Sequence, residues 1–513
     1  MNFKKIFLLF LCFCLSFSIV GCKNDKTDIS SNGNGSIDID YGVSLSLLYC
    51  ANDTYDPYTL ITKSNAELCQ LLYDPLFKVD NNFESIPVLA QTASQNGNIW
   101  TVALKSVNFT DGTPLTANDV VFSYNLAKNC ARYSSQLSFV QSVTADGNNV
   151  IFELSVCDPY FTNVLDFPIL KTDSNALYDE DSVLLPPIGT GRYILNPRQT
   201  GLILNENYFG EKGSVASIRL KNAPDSESIT HYVEMGAADI YYADTSEGSI
   251  ARMSGKKVNI NRNVLIYLGI NDNDPLFKNV NMRYAVSSAI SRDKIVSDVF
   301  FGNAVAATGP FHPSFKAVTG YQTSPTSSNT EISIENLKKI GYNKLNEETY
   351  FKNAVGNNLQ VSLLINGDNA QKVAVAEKIV AQLKDVGIQV IVNAPDYNGY
   401  LSALQSGSFQ LYLGETELDN NFDITQLVIP GGSCAFGKVQ NAEDAVSIES
   451  VINEYHNGSA SITNVITALQ AQMPFIPICY RSGIVFYNEK ITDEIQFSEN
   501  DLFLSISRLS FNN

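Results

Sequence analysis

Positive charge is scarce in this 513-residue chain: 35 Lys and Arg stand against 53 Asp and Glu, a formal net charge of −18. No basic run follows the first few residues. A surface this acidic repels phosphate backbones, so nucleic acid is excluded as a partner. Histidine is almost missing. His231, His312 and His456 lie far apart and none falls in an H-E-x-x-H spacing, which removes the usual zinc-hydrolase pattern. No G-x-S-x-G elbow occurs; the nearest approach, Gly431-Gly432-Ser433-Cys434-Ala435, lacks its last glycine. Paired carboxylates for glycoside cleavage need no fixed spacing, and nothing positive favours them. Nine cysteines include no C-x-x-C pair. Cys50, Cys69, Cys130, Cys157, Cys434 and Cys479 read as buried free thiols, with one or two disulfides left open. Neither a metal nor a cofactor is expected. Long apolar runs are also lacking, with one exception at the N-terminus.

That exception carries the first positive signal. Lys4 and Lys5 precede an apolar run over residues 6–20, followed by Gly21 and Cys22. A basic start, a run too short for a comfortable membrane span and a small residue before the cut make an export signal. Residues 22–42 follow as a tether rich in Asn, Ser, Gly and Asp. Apolar residues make up 44% of the chain and charged residues 17%, enough for a large core over two to four domains or lobes.

Local patterns predict mixed α/β structure. "VSLSLLYC" over 43–50 reads as a buried strand. Ser64 and Glu67 fit a capping box opening a helix through Leu72. Trp100, Val102 and Leu104 alternate along a half-buried strand over 99–105. In "NFTDGTPLTANDVVFS" (108–123), Asp111-Gly112 is turn chemistry, and Thr116 with Asp119 forms a second capping box. Met282, Ala285, Val286, Ala289 and Ile290 recur at helical spacing. Residues 359–392 read as β-α-β, so a parallel strand pair is expected there. "GSCAFGKV" (432–439) fits G-x-x-x-x-G-K, but Val439 replaces the hydroxyl that would hold magnesium, and a Gly-rich loop is the plainer reading. "GTG" at Gly189 lacks the third glycine of a dinucleotide fingerprint.

Two resemblances join these readings. Ile19-Val20-Gly21-Cys22 resembles a bacterial lipobox, which implies a diacylglycerol thioether on Cys22 as the mature N-terminus. "YDPLFKVDNNFESIPVLAQTAS" and "WTVALKSVNFTDGTPLTANDVVFSYNLA" resemble the family 5 extracellular solute-binding proteins, the dipeptide-, oligopeptide- and nickel-binding components of ABC importers. "IGTGRYIL", "NENYFG", "ATGPFHP", "DYNGYLSALQSGSFQLYLGE" and "MPFIPICYRSGIVFYN" match further stretches in the family's order.

The resemblance implies an α/β, bilobal, periplasmic-binding-protein-like clamp of type II with an extra subdomain. The first lobe would comprise 43–62, 181–270 and 478–513, the subdomain 63–180 and the second lobe 271–477. It implies a lipid-anchored, monomeric receptor facing outside the cytoplasm. Such a receptor encloses an oligopeptide by hinge closure and delivers it to a permease and its ATPase, with no covalent chemistry. Family members hold the peptide α-ammonium on an aspartate shortly after a G-W-x segment. Here the matching stretch is "LGETELDNNFDI". Gly414 stands for the glycine and Glu415 for the tryptophan. Asp419 is the ammonium partner, with Glu417 and Asp423 as substitutes. Tyr55 and Asn52 lie in the segment that resembles the loop by the cleft entrance. Two other roles remain open: a peptide-signal receptor, which sequence does not separate from import, and an exported lipoprotein hydrolase, which the missing nucleophile and metal motifs disfavour.

Overall fold

Two long strands, Lys256–Ile270 and Phe475–Tyr487, pair antiparallel along most of their length and form the spine of a seven-stranded sheet. Ile240–Ala243 pairs with the C-terminal end of the second, and Leu411–Glu417 lies against the other side of the first. The computed structural model describes residues 45–245, 253–345, 348–439, 447–492 and 494–512. The expected leader, Cys22 and the tether lie outside the described residues.

The C-terminal half of strand Lys256–Ile270 alternates between two cores, as period-two side chains dictate. Ile266, Leu268 and Ile270 face one layer, with Met282, Ala285, Val286 and Ala289 of helix Val280–Ala289 and Val375, Ile379 and Leu383 of helix Ala370–Asp385. Leu265 and Tyr267 face the other, with helices Tyr397–Ser406, Ile448–His456 and Ile462–Gln472. The expected β-α-β unit is present: Gln360–Leu364 and Gln389–Asn393 pair in parallel across helix Ala370–Asp385. The N-terminal half of the same strand belongs elsewhere. Ile260 packs with Leu45, Leu47 and Ile218 of a four-stranded sheet and with Phe497 and Phe503. The two long strands therefore run from one core into another. Their register shifts between Asn261 and Leu265, opposite Ser482 and Tyr480. A break of this kind turns side chains out of the ladder.

A separate antiparallel sheet, ordered Ala90–Asn96, Ile99–Leu104, Asn149–Leu154, Val140–Asp146, holds a fourth core. Trp100, Val102 and Leu104 are buried together in it, as the alternation predicts. Helix Ala117–Ala127 begins at Thr116, whose N–H donates to Asp119 Oδ2 at 2.9 Å. Asp119 Oδ1 accepts from Thr172 N at 2.9 Å. Asp111 accepts from Thr113 N at 3.0 Å and meets Lys171 at 2.5 Å. Both aspartates of the 108–123 stretch are thus held by the scaffold.

The other expected capping box does not form. Helix Lys63–Leu72 starts one residue before Ser64. Asp53 Oδ2 accepts from Thr62 N at 2.7 Å, which meets that end of the helix from outside. Glu67 is left for another use. The six cysteines in the described residues are all free.

Candidate ligand-binding cleft

Where the long strands lose register, a cavity of about 700 Å³ opens. Its wall is assembled from distant stretches: helix Lys63–Leu72 and its flanks, residues 131–136, Asp166, Asn263 in the register break, 417–420, and Glu499 to Leu502. Five carboxylates line it: Glu67, Asp166, Glu417, Asp419 and Glu499. Three cations share the wall: Lys63, Lys78 and Arg132.

Most of these charges are matched. Arg262, turned out by the register break, donates from Nε to Glu499 Oε1 at 2.6 Å, sits 3.1 Å from Asp244 and 3.6 Å from Glu417. Tyr242 adds a hydroxyl to Glu499 at 3.1 Å. Burial and the neighbouring Glu499 hold Glu417 above the usual carboxylate range, a modest effect for a side chain that is 62% exposed. Lys78 pairs with Asp501 at 2.8 Å. Lys63 lies over the Tyr242 ring at 3.7 Å and one helical turn from Glu67. Burial pushes Glu67 to about 7 against the opposing field of Lys63.

Asp419 is different. Its carboxylate has no hydrogen bond and no ion pair among the described residues. Burial, then the nearby Asp423 and Asp166 carboxylates, push it up to about 6. Its main-chain oxygen accepts from Asn263 Nδ2 at 3.1 Å. Asn263 is 2% exposed, and its Oδ1 finds no donor. A buried acceptor without a partner is costly, so a donor arriving in the cavity is favoured there.

The remaining residues singled out in the sequence take other places. Glu417 lines the cavity beside Asp419. Glu415 does not. It accepts from Arg481 Nε at 2.7 Å and Nη2 at 2.9 Å, and pairs with Lys372. Although burial opposes it, the bonds from Arg481 and the charge of Lys372 hold Glu415 below the usual carboxylate range. Gly414 packs under Tyr267, where an added Cβ would lie 2.6 Å from the ring. Asp423 Oδ1 accepts from Thr425 N at 2.9 Å and closes a turn. Tyr55 is buried in the core of the four-stranded sheet, with its hydroxyl donating to Gln199 O at 3.1 Å. Asn52 is exposed and does not reach the cavity. Tyr55 fails to line it because an apolar ring is worth more in a core than in an acidic, wet cavity.

Asp166, Asn263, Arg262, Glu499 and Arg132 carry no spacing or motif that marks them in the sequence. Glu67 does carry one, but it is the helix-start signal. A second cavity of about 270 Å³ shares Lys63, Glu67, Tyr242 and Leu502 with the first and mixes apolar side chains such as Leu47, Ile229 and Phe503 with Ser226, Thr230 and Asp244. The larger one collects the unmatched groups. No histidine lines it, and among the described residues no His, Cys, Asp and Glu cluster is arranged to hold a metal. His312 is buried with Nδ1 accepting from Ser314 N, and burial lowers it to about 3. Lys438 of the G-x-x-x-x-G-K stretch gives its ammonium to Ile270 O, Asp272 and Pro474 O, leaving no seat for a phosphate. Among the described residues no helix is long and apolar enough to cross a membrane.

Comparison with known proteins agrees with this architecture. The oligopeptide-binding protein AppA of Bacillus subtilis is 25% identical over 354 residues, an alignment spanning 64% of each chain. Its structure, solved with a nonapeptide, superposes with a TM-score of 0.56 at 19% identity and covers 91% of this chain and 99% of that one. The nickel-binding periplasmic protein of Escherichia coli is 22% identical over 450 residues, 81% of this chain and 84% of its own. An ABC transporter substrate-binding protein from Sinorhizobium meliloti superposes with a TM-score of 0.73 at 18% identity, covering 92% and 100%. All three relatives carry the names of binding proteins. The family profile of bacterial extracellular solute-binding proteins, family 5, matches residues 84–435, well over half of the sequence. The chain belongs to the bacterial extracellular solute-binding proteins of family 5.

Proposed function

We propose that this protein captures oligopeptides in the 700 Å³ cavity and delivers them to the permease and ATPase of an ABC importer. The observation that carries the reading is the unpaired Asp419 carboxylate beside the donor-less Asn263 Oδ1. A peptide α-ammonium supplies what both lack: a positive charge and several N–H donors in one compact group. Glu417, already shared with Arg262, completes an acidic rim that favours the amino end of a peptide over its carboxylate. The relative solved with a nonapeptide supports a peptide cargo. Closure follows the register break of the long strands, with 43–62, 181–270 and 478–513 as one lobe, 271–477 as the other and 63–180 as the subdomain. Cys22, acylated after cleavage of residues 1–21, tethers the monomer to the membrane face outside the cytoplasm.

The test is titration calorimetry with peptides bearing free or acetylated amino ends. Asp419→Asn is expected to weaken the free-amine peptides tenfold or more and leave acetylated ones within about twofold. Equal loss for both moves the ammonium site elsewhere. Failure of a broad peptide panel, with no peptide in native mass spectra of the purified protein, ends the peptide reading. For the anchor, Cys22→Ala should remove the acyl mass, and retained lipid would refute it.

A further inference from the structure

Asp419 is not the only carboxylate of the cavity that lacks a counter-charge. Glu417 and Glu499 share Arg262, and Glu67 has Lys63 one turn away. Asp166 has no cation. Its Oδ1 accepts from Gln136 Nε2 at 2.7 Å and its Oδ2 from Asn500 Nδ2 at 2.7 Å. Both partners are neutral amides. They fix the plane of the carboxylate without cancelling its charge, and each oxygen keeps a lone pair. Gln136 is itself held by Val164 O at 3.1 Å. Arg132, exposed on the same wall, makes no ion pair with Asp166 or Asp419.

The unmatched carboxylates stand in a field of like charge. Burial and the nearby Glu499 raise Asp166 to about 6, and Asp166 is among the charges that raise Asp419. Two like charges facing one cavity destabilise it when empty, and a ligand relieves that repulsion most if it brings one positive group to each. Asn263 points independently to a ligand in this cavity: 2% exposed and lining it, it carries an oxygen with no donor. A singly charged ammonium satisfies Asp419 and Asn263 but leaves Asp166 uncompensated.

We propose that Asp166 is a specificity-determining residue for peptides with two positive charges close together, an α-ammonium at Asp419 and a Lys or Arg side chain of the first or second residue at Asp166. This rests on the peptide reading above. A basic side chain meets a carboxylate already oriented by Gln136 and Asn500, so little ordering remains at the moment of binding. A neutral or acidic side chain leaves or worsens the repulsion, which gives discrimination by penalty as well as by attraction.

The experiment uses the full chain, stripped of bound peptide, and matched tetrapeptides with lysine, norleucine or glutamate at position one or two over an alanine background. Norleucine copies the lysine stem without its charge. At pH 7.5 the lysine peptide is expected to bind at least tenfold tighter than norleucine at one of the two positions, with glutamate weakest. Asp166→Asn should bring the lysine-to-norleucine ratio to within about twofold, with the lysine peptide weakened and the norleucine peptide not weakened. A wild-type ratio near one overturns the role of Asp166 and leaves the peptide reading standing. Equal loss of both peptides in the variant makes Asp166 a wall-building residue and also overturns it. If no peptide of the panel binds, the peptide reading falls first and this inference with it. Should Asp166→Asn fail to fold, the wild-type ratio at the two positions decides alone.

Discussion

Glu415→Gln separates a scaffold role from a ligand role at a position where sequence resemblance places a ligand contact. In the structure the carboxylate is shared by two cations, Arg481 with 0% and Lys372 with 9% side-chain exposure. Glutamine keeps the shape and removes the charge, so two buried cations then face each other with no anion. Removing one partner of a buried ion pair costs roughly 3–5 kcal/mol. The protein can escape part of this by deprotonating Lys372, which burial already biases downward. At pH 7 that route costs at most about 4.6 kcal/mol, the distance from an ordinary lysine value near 10.4 at about 1.36 kcal/mol per unit. The expected loss of about 3–5 kcal/mol should therefore shrink as pH rises toward 10. It should shrink at low pH too. Glu415 has a folded value below its unfolded one, so the wild type holds this stability above about 4.3 and loses it as pH falls through the folded value. Urea unfolding across pH 3–10, with peptide titration under native conditions, checks both ends. A variant as stable as wild type at pH 7, or one that loses peptide affinity with its stability intact, refutes the reasoning and returns Glu415 to the ligand.

Gly414→Ala places a Cβ 2.6 Å from the Tyr267 ring, whose hydroxyl is 3.2 Å from that of Tyr412; overpacking should cost about 1–3 kcal/mol, read as a lower thermal midpoint at unchanged peptide affinity. Free-amine peptides need ionised Asp419, raised to about 6, so their affinity should fall by up to about tenfold per unit below pH 6, while acetylated peptides show no such slope. Asp158 is raised to about 7 by burial and accepts from Asn421 Nδ2 at 2.9 Å. Its contribution is present below about pH 4 and is lost as pH rises through 7, at most about 1.4 kcal/mol per unit. Asp158→Asn should flatten the thermal midpoint between pH 5 and 8, and an unchanged wild-type slope there counts against this origin.

What sequence reveals here depends on how local the cause is. The Thr116–Asp119 box, the Trp100–Val102–Leu104 face and the β-α-β unit over 359–392 each depend on neighbours within one turn, one strand or one crossover, and all three are formed. Ser64–Glu67 misleads for an equally local reason. Asp53 reaches Thr62 N from outside the helix, and the start moves to Lys63. The cavity has no local cause. Asp166, Asn263, Asp419 and Asn500 come from four distant stretches of the chain, only Asn263 from the register break, and no spacing encodes that meeting. Within "LGETELDNNFDI" resemblance points to a stretch of which Glu417 and Asp419 line the cavity, but composition does not tell which acid is free. Glu415, Glu417 and Asp423 each have partners from outside the segment or from the turn itself.

The same turn joins the cavity to the rest of the protein. Asp419 and Asn420 face the cavity, yet Asn420 O accepts from Asn163 Nδ2 at 3.0 Å and Asn421 donates to Asp158. Phe422 follows, stacked on Phe315 at 3.4 Å and edge-on to Phe83 at 5.4 Å. Phe83 and Phe422 both hold positive φ, 58° and 60°, a region that bulky side chains rarely occupy. Such strain persists only where packing over-determines it. Here the packing is an apolar contact between the 83 turn and the seven-stranded sheet's aromatic core, in which Phe83, Phe311, Phe315 and Phe422 are all buried. Asp423 bears on both ends, since its charge raises both Asp419 and Asp158. The turn that presents Asp419 to the cavity is therefore pinned at its other end by buried polar and aromatic contacts.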